Sequence, residues 1–310
     1  MSSGGSLFGI LNVNKHAGVT SRDVVNSVQR LVRPAKCGHA GTLDPMATGV
    51  LLICIGPATR LVHLLQEAPK TYITEFTLGQ RSDTDDATGR IDTFPGEFTQ
   101  PSAEDLSSLL KTMTGLVQQV PPDYSAVHVN GRRAYDMARR GQNVQLSARP
   151  VEIFSIRLVH YEWPHLILEI VCGSGTYIRS IARDLGEQLG CGALMSRLER
   201  TRIGSYSVKS GISSEQLTTE AIQQHLHSPV AATAHLERYL CADAEILAIV
   251  QGKRILVDHE RIVRPEDENA EVNSVALLSN DGSELLAMAE WLPDRTSLQP
   301  RIVFHQQAGH

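Results

Sequence analysis

No apolar run in this 310-residue chain approaches the length of a bilayer span, and its opening residues lack the basic and apolar regions of a signal peptide. Paired cysteines are missing as well. The five present (Cys37, Cys54, Cys172, Cys191, Cys241) are odd in number, scattered and never spaced as C-x-x-C. That pattern favours reduced thiols and a cytoplasmic location over a disulfide framework or a zinc site. The twelve histidines show no metal-ligand spacing, so no metal is expected. There is no Walker loop, no Ser/His/Asp order and no full dinucleotide fingerprint; Gly173-x-Gly175 has only two of the required glycines. Nor is there a large positive charge. The net value of −5 argues against a general polyanion binder.

The charge is unevenly spread, however. From Glu215 onward there are 7 Lys+Arg against 15 Asp+Glu, which leaves 22 against 19 for the first 214 residues. A nucleic-acid surface would belong to that first part. The length suggests two domains, and 42% hydrophobic residues supply a sizeable core.

What is present is a loop. Gly38-His39-Ala40-Gly41-Thr42-Leu43-Asp44-Pro45-Met46-Ala47-Thr48-Gly49-Val50 holds three glycines, a proline and two threonines, too many for a regular element. An apolar run, 50–56, follows and reads as a buried strand. Asp44 therefore sits in a shaped loop at the mouth of a core strand, biased away from helical geometry by Pro45. On its own, an Asp before Pro most often only closes a turn.

Around this loop the periodicity gives a strand at 7–13, then a helix capped by Thr20-Ser21 that ends before Pro34. A short helix runs through Leu61, Leu64 and Leu65. Residues 70–78 alternate as a half-buried strand carrying Tyr72, and 80–89 reads as an acidic loop. Ser102-x-x-Asp105 opens another helix. Residues 123–150 are polar and basic, with Tyr124 and Tyr135 among Arg132, Arg133, Arg139, Arg140 and Arg149, and read as an insertion standing off the core. Aromatic rings beside cations suit RNA, although a solvated hairpin would look similar. Two strands, 151–161 and 166–172, precede a helix at 177–189 on which Arg179 and Arg183 share a face. A basic run, 197–202, follows. Residues 211–239 read as a connecting segment, and short alternating stretches from 240 suggest a small β-rich second domain.

From the residues alone, one loop-presented acid, a strand tyrosine and a helix-terminal arginine point to covalent or general acid/base chemistry, with the arginine holding the acid ionised. The reaction stays open. Taken singly, Tyr72 reads as a core aromatic, Arg179 as a surface pair and His39 as a loop polar residue.

Several motifs in order from Leu11 to about Tyr206 resemble the bacterial tRNA pseudouridine-55 synthases of the TruB type. They include Lys36-x-Gly38-His39-x-Gly41-Thr42-Leu43-Asp44-Pro45, Lys70-Thr71-Tyr72, Thr84-Asp85-Asp86, Val120-Pro121-Pro122-x-Tyr124-Ser125-Ala126 and Cys172-x-x-Gly175-Thr176-Tyr177-Ile178-Arg179. The resemblance implies an α+β catalytic domain (1–210) around a largely antiparallel sheet, with 121–150 as a thumb-like RNA-binding insertion. It implies, more weakly, a PUA-like domain at 240–310. It makes Asp44, Tyr72 and Arg179 the catalytic set. His39 would enter the T-loop stack, Leu198 and Ile181 would line the pocket, and Tyr177, Arg132, Arg133, Arg139 and Arg140 would contact RNA. The implied substrate is the T-arm stem–loop of tRNA, bound by a monomer with no cofactor, guide RNA or protein partner. Two departures, His128 and Glu199 where the family usually has Lys and Arg, imply weaker, salt-sensitive binding. The alternative is an RNA-folding chaperone whose catalysis is secondary.

Overall fold

The computed structural model describes residues 7–95, 97–125, 146–265 and 273–304, with Met137 and, by backbone alone, 128–129 and 132–133. Arg139 and Arg140 lie outside the described residues. The chain begins with strand β1 (Gly9–Lys15) and helix α1 (Ser21–Leu31). Thr20 and Asp23 close the start of α1 as a capping box, each side chain receiving the other's backbone N–H. Strands β2 (Cys37–His39) and β3 (Thr48–Ile55) flank the Asp44 loop. Helix α2 (Val62–Glu67) leads to β4 (Lys70–Leu78), whose even positions are all buried, as the alternation predicts. The acidic stretch after it is not wholly loop. Strand β5 (Gln80–Ser82) pairs with β6 (Ile91–Thr93) and holds 83–90 as a turn between them.

Helix α3 (Ala103–Thr112), again with a capping box at Ser102 and Asp105, precedes β7 (Gly115–Gln119). The insertion contains the short pair β8 (His128–Val129) and β9 (Arg132–Arg133). Strands β10 (Arg149–Glu162) and β11 (His165–Cys172) lead to helix α4 (Ile178–Gln188). The basic run then proves to be part of a long strand, β12 (Ala193–Ile203). Its apolar signal is interrupted because Arg200 occupies an inward position.

The main sheet orders these strands β1-β3-β12-β4-β11-β10-β7 and is antiparallel except where β3 meets β12 and where β1 meets the short strand β13 (Ile212–Ser213). Strand β14 (Leu226–His227) also pairs with β1, so parts of the expected connecting segment are hydrogen-bonded into the main sheet. Helices α3 and α4 cover one face through Leu106, Leu110, Ile181 and Leu185. Helix α1 lies on the same face, farther along the sheet, through Val24, Val25 and Val28 against Leu11, Leu51 and Ile53, while Ile10, Leu52 and Cys54 on the opposite face pack against Leu61, Leu65 and the second sheet. β3 is thus buried on both faces, which explains its unbroken apolar run.

The β-rich tail is a second, six-stranded sheet that includes β15 (Glu237–Leu240), β16 (Ser274–Leu278), β17 (Leu285–Trp291) and β18 (Ser297–Val303). It packs on the main sheet through a shared apolar cluster that includes Ile10, Leu52, Ala276, Leu278 and Phe304. Phe8 and Phe304 stack at 5.4 Å.

One glycine fixes how β12 lies against the loop. Gly49 has φ +102, and a Cβ there would stand 2.2 Å from the Arg200 carbonyl oxygen. Gly49→Ala is therefore expected to lower stability by about 3 kcal/mol or more, measurable by chemical denaturation, since backbone strain and a backbone clash add.

Candidate active site

The Asp44 loop is held from three sides. The hydroxyl of Ser21, the first residue of α1, accepts the Leu43 N–H at 2.9 Å and donates to the Leu43 carbonyl at 3.1 Å. Lys15, fully buried at the end of β1, donates to the carbonyls of His16, Val19 and Pro45. Arg200, 2% exposed, reaches out of β12 to the carbonyls of Val50, Thr42 and Gly41 at 2.8, 3.4 and 3.0 Å. Three donors that no motif groups thus fix the backbone on either side of Asp44.

The carboxylate itself meets Arg179 from α4. Nε lies 3.0 Å from Oδ2 and Nη2 donates to Oδ1 at 3.3 Å, a two-pronged pair. The Arg179 side chain is 6% exposed while that of Asp44 is 34% exposed. The arginine is therefore locked, and the acid presents its free edge to the cavity. Arg179 is itself oriented by the carbonyls of Thr84 and Tyr124 at 3.2 and 3.1 Å, and by Asp86 at 3.6 Å. Asp86 is in turn held by the hydroxyls of Thr84 and Thr88 and the Thr88 N–H. Enclosure pushes the Asp44 carboxyl above its ordinary value and Asp86 adds to this, while Arg179 and Lys15 pull it down. The ionised form of Asp44 thus depends on the Arg179 pair.

Tyr72 stands on the inward face of β4, 8% exposed, directly opposite Arg200 on β12. Burial raises its phenol above the ordinary value against the Arg200 charge, so the hydroxyl stays protonated at neutral pH. Asp44, Tyr72, Tyr124, Tyr177, Arg179 and Leu198 all border one cavity of about 390 Å³, within the roughly 300–1,000 Å³ usual for ligand sites. Ile181 does not border it. It is 1% exposed and packs into the core beneath α4, while Ile178, one turn earlier, lines the cavity. His39 is half-buried on β2, and burial, with Arg22 and Arg200, lowers its pKa, favouring the neutral ring.

The same end of α4 anchors both ends of the insertion. The Tyr177 N–H donates to Gln119, which donates back to the Tyr177 carbonyl; Ser180 and Arg183 both donate to the Val120 carbonyl at 2.9 Å. On the returning side, Arg149 donates to the Gly175 carbonyl and lies 5.1 Å over the Tyr177 ring. Arg132 and Arg133 fall on β9, with their side chains outside the described residues.

Arg183 also pairs with Asp85 at 3.1 Å, and burial pushes that carboxyl up to about 6. Asp85 sits at φ +59, a conformation open to Asp and Asn. Its folded-state value exceeds the ordinary 3.8, so the stability it contributes is present in full below about pH 4 and is lost as pH rises through about 6. Asp85→Asn should therefore gain in melting temperature relative to the wild type between pH 4 and 6. A pH-independent difference would mean that the ion pair offsets burial, and a relative loss over the same range that it outweighs burial.

Among the described residues no three His, Cys, Asp or Glu side chains converge as a metal site requires, and no helix is long and apolar enough to cross a membrane. Residues 29–178 match the N-terminal domain of the TruB family pseudouridylate synthases, and 179–242 match the tRNA pseudouridylate synthase B C-terminal domain. A protein of Prochlorococcus marinus named tRNA pseudouridine synthase B is 35% identical over 306 residues, covering 96% of this chain and 97% of its own. One of the same name from Heliobacterium modesticaldum is 40% identical over 249 residues, 79% and 81% of the two chains.

The chain belongs to the TruB family.

Among solved structures, a chain of an H/ACA ribonucleoprotein bound to a substrate RNA containing 2′-deoxyuridine shares the fold at a TM-score of 0.73 and 22% identity. That likeness covers 97% of this chain and 86% of the other. The TruB-family synthases thus supply the context in which the Asp44–Arg179 pair and the cavity stand. Arg200 and Lys15 are not legible in the sequence, where their only mark is a charged residue at an inward position, and Asp86 appears there only within the Thr84-Asp85-Asp86 motif, with no role of its own.

Proposed function

We propose that this chain is a stand-alone tRNA pseudouridine synthase that isomerises the uridine at position 55 of the T-loop. The observation that carries the reading is the Asp44 carboxylate, paired through one edge with a locked arginine and open through the other to a cavity walled by Tyr72. The family and the names of its members support the activity.

Isomerisation breaks the bond between ribose C1′ and uracil N1, turns the ring and rejoins it through C5. The base must leave the stack to be reached, at a cost of a few kcal/mol recovered by stacking in the pocket. Tyr72 offers a ring for that stacking, and Leu198 closes the wall beside it. Asp44 is the group that engages the sugar or the ring, and Arg179 keeps it ionised and aimed. His39 fills the place in the RNA stack that the base vacates. The insertion, rooted on α4, grips the stem–loop.

The test is release of tritium from a T-arm stem–loop labelled at C5 of uridine 55, with a second hairpin labelled at another loop uridine. Release from the first alone supports the assignment. Tight binding without release would favour the RNA-chaperone reading.

A further inference from the structure

Three cations lie buried around the Asp44 loop with no carboxylate at ion-pair distance among the described residues: Lys15, Lys70 and Arg200. A buried ammonium without a partner is costly unless polar groups replace its water. The fold answers this for two of them. Lys15 gives its three N–H bonds to three carbonyls, and Arg200 binds three carbonyls of the loop and β3.

Lys70 differs. It is 5% exposed yet borders the cavity, and among the described residues its one hydrogen bond is to the Gln66 carbonyl at the end of α2. An ammonium has three donors, so two have no acceptor among the described residues. Lys70 stands two residues before Tyr72 on the same face of β4, about 7 Å along the strand, within reach of a nucleotide whose base lies on that ring.

We propose that Lys70 supplies a positive contact to an anionic oxygen of the nucleotide drawn into the cavity. This rests on the reading of the cavity as the site of uridine isomerisation. Two oxygens of that nucleotide qualify. One belongs to the flanking phosphodiester. The other is uracil O2 or O4, which takes on charge when the C1′–N1 bond breaks and its electron pair stays with the ring. If Asp44 attacks C1′, a C1′–Oδ bond forms in the same step. The charge is discharged when C5 bonds to C1′ and the carboxylate departs, C5 then losing its proton and N1 gaining one.

The groups around Lys70 keep the contact sensitive to pH. Burial and Arg200 push its ammonium down to about 8, while Cys172 and Glu67 act in the opposite sense. It is charged at neutral pH and loses that charge in mildly alkaline solution.

The experiment compares the full-length wild type with Lys70→Met and Lys70→Arg on the C5-tritiated stem–loop. It measures single-turnover rate, affinity at several salt concentrations and the pH profile. A uracil contact predicts a rate lower by about 100-fold in Lys70→Met with affinity unchanged. A phosphate contact predicts affinity lower by about 10-fold and a salt slope reduced by about one, with the rate of bound RNA unchanged. In both cases Lys70→Arg restores function in part and moves the alkaline limb of activity upward from pH 8. Wild-type rate, affinity and salt slope in Lys70→Met would overturn the proposal and leave the lysine as a cap on α2, whatever the melting temperature does. Should Lys70→Met not fold, Lys70→Arg decides, because an alkaline limb shared with the wild type assigns that limb to another group and overturns the proposal. A wild type that releases no tritium overturns the functional reading itself, and the contact with it.

Discussion

In Asp44→Asn, tritium release from the stem–loop is expected to fall to background, a loss of about 10⁴-fold or more, while RNA affinity changes by no more than a few-fold. The substitution keeps the shape of the side chain and its place between Leu43 and Pro45, so the loop contacts of Ser21, Lys15 and Arg200, all made to backbone or through it, survive. What goes is the negative charge and its capacity to act as nucleophile or base. Binding of RNA rests on surfaces beyond the carboxylate and should persist. Residual release above about one-hundredth of wild type would remove Asp44 from the centre of the chemistry.

Arg179→Met should lower stability by about 3–5 kcal/mol, because a buried pair loses one partner and the carboxylates of Asp44 and Asp86 face each other uncompensated. The same change removes the main influence that pulls the Asp44 carboxyl down. Its pKa then rises further, and the acid limb of the activity profile moves to higher pH. Adding Asp86→Asn to Arg179→Met should recover part of the lost stability, since one of the two stranded charges is removed, and a double-mutant cycle read by denaturant titration measures that coupling. Arg179→Lys is not a conservative change here: one ammonium cannot meet both oxygens of Asp44 and the two carbonyls of Thr84 and Tyr124 at once. A melting curve and pH profile indistinguishable from wild type in Arg179→Met would show that the pair is incidental.

The regular elements were legible where pattern and physics agree. Thr20 with Asp23, Ser102 with Asp105, the alternation of β4 and the apolar run of β3 all read directly. β12 did not, because one of its inward places is filled by Arg200, and a charge in a core strand breaks the alternation that marks a strand. The acidic stretch after β4 hid the β5–β6 hairpin for a similar reason: three-residue strands with no fully buried side chain carry no period. Asp44, Tyr72 and Arg179 come together in space from positions 28 and 107 residues apart in the chain, and motif order rather than periodicity pointed to them. Ile181 was placed at the pocket by the same resemblance, but one helical turn separates it from Ile178, and that turn decides between core and cavity. The cations behind the loop could not be read at all, since a lysine or arginine in a sequence gives no sign of whether its partners are waters or carbonyls.

The first strand of the main sheet takes its partners from far along the chain. β1 is flanked by β3 on one side and by Ile212–Ser213 and Leu226–His227 on the other, and the surface around Ile10 is covered by Ala276, Leu278 and Phe304. As the polypeptide leaves the ribosome, the strand that ends in Lys15 must therefore wait for some two hundred further residues before its second edge is satisfied, and longer before its apolar face is closed. Contacts so distant in sequence slow folding and leave an unpaired edge open meanwhile. The loop that carries Asp44 is tied to that strand through Lys15, so the candidate site is completed late in the making of the molecule, after nearly all of the described chain has been synthesised.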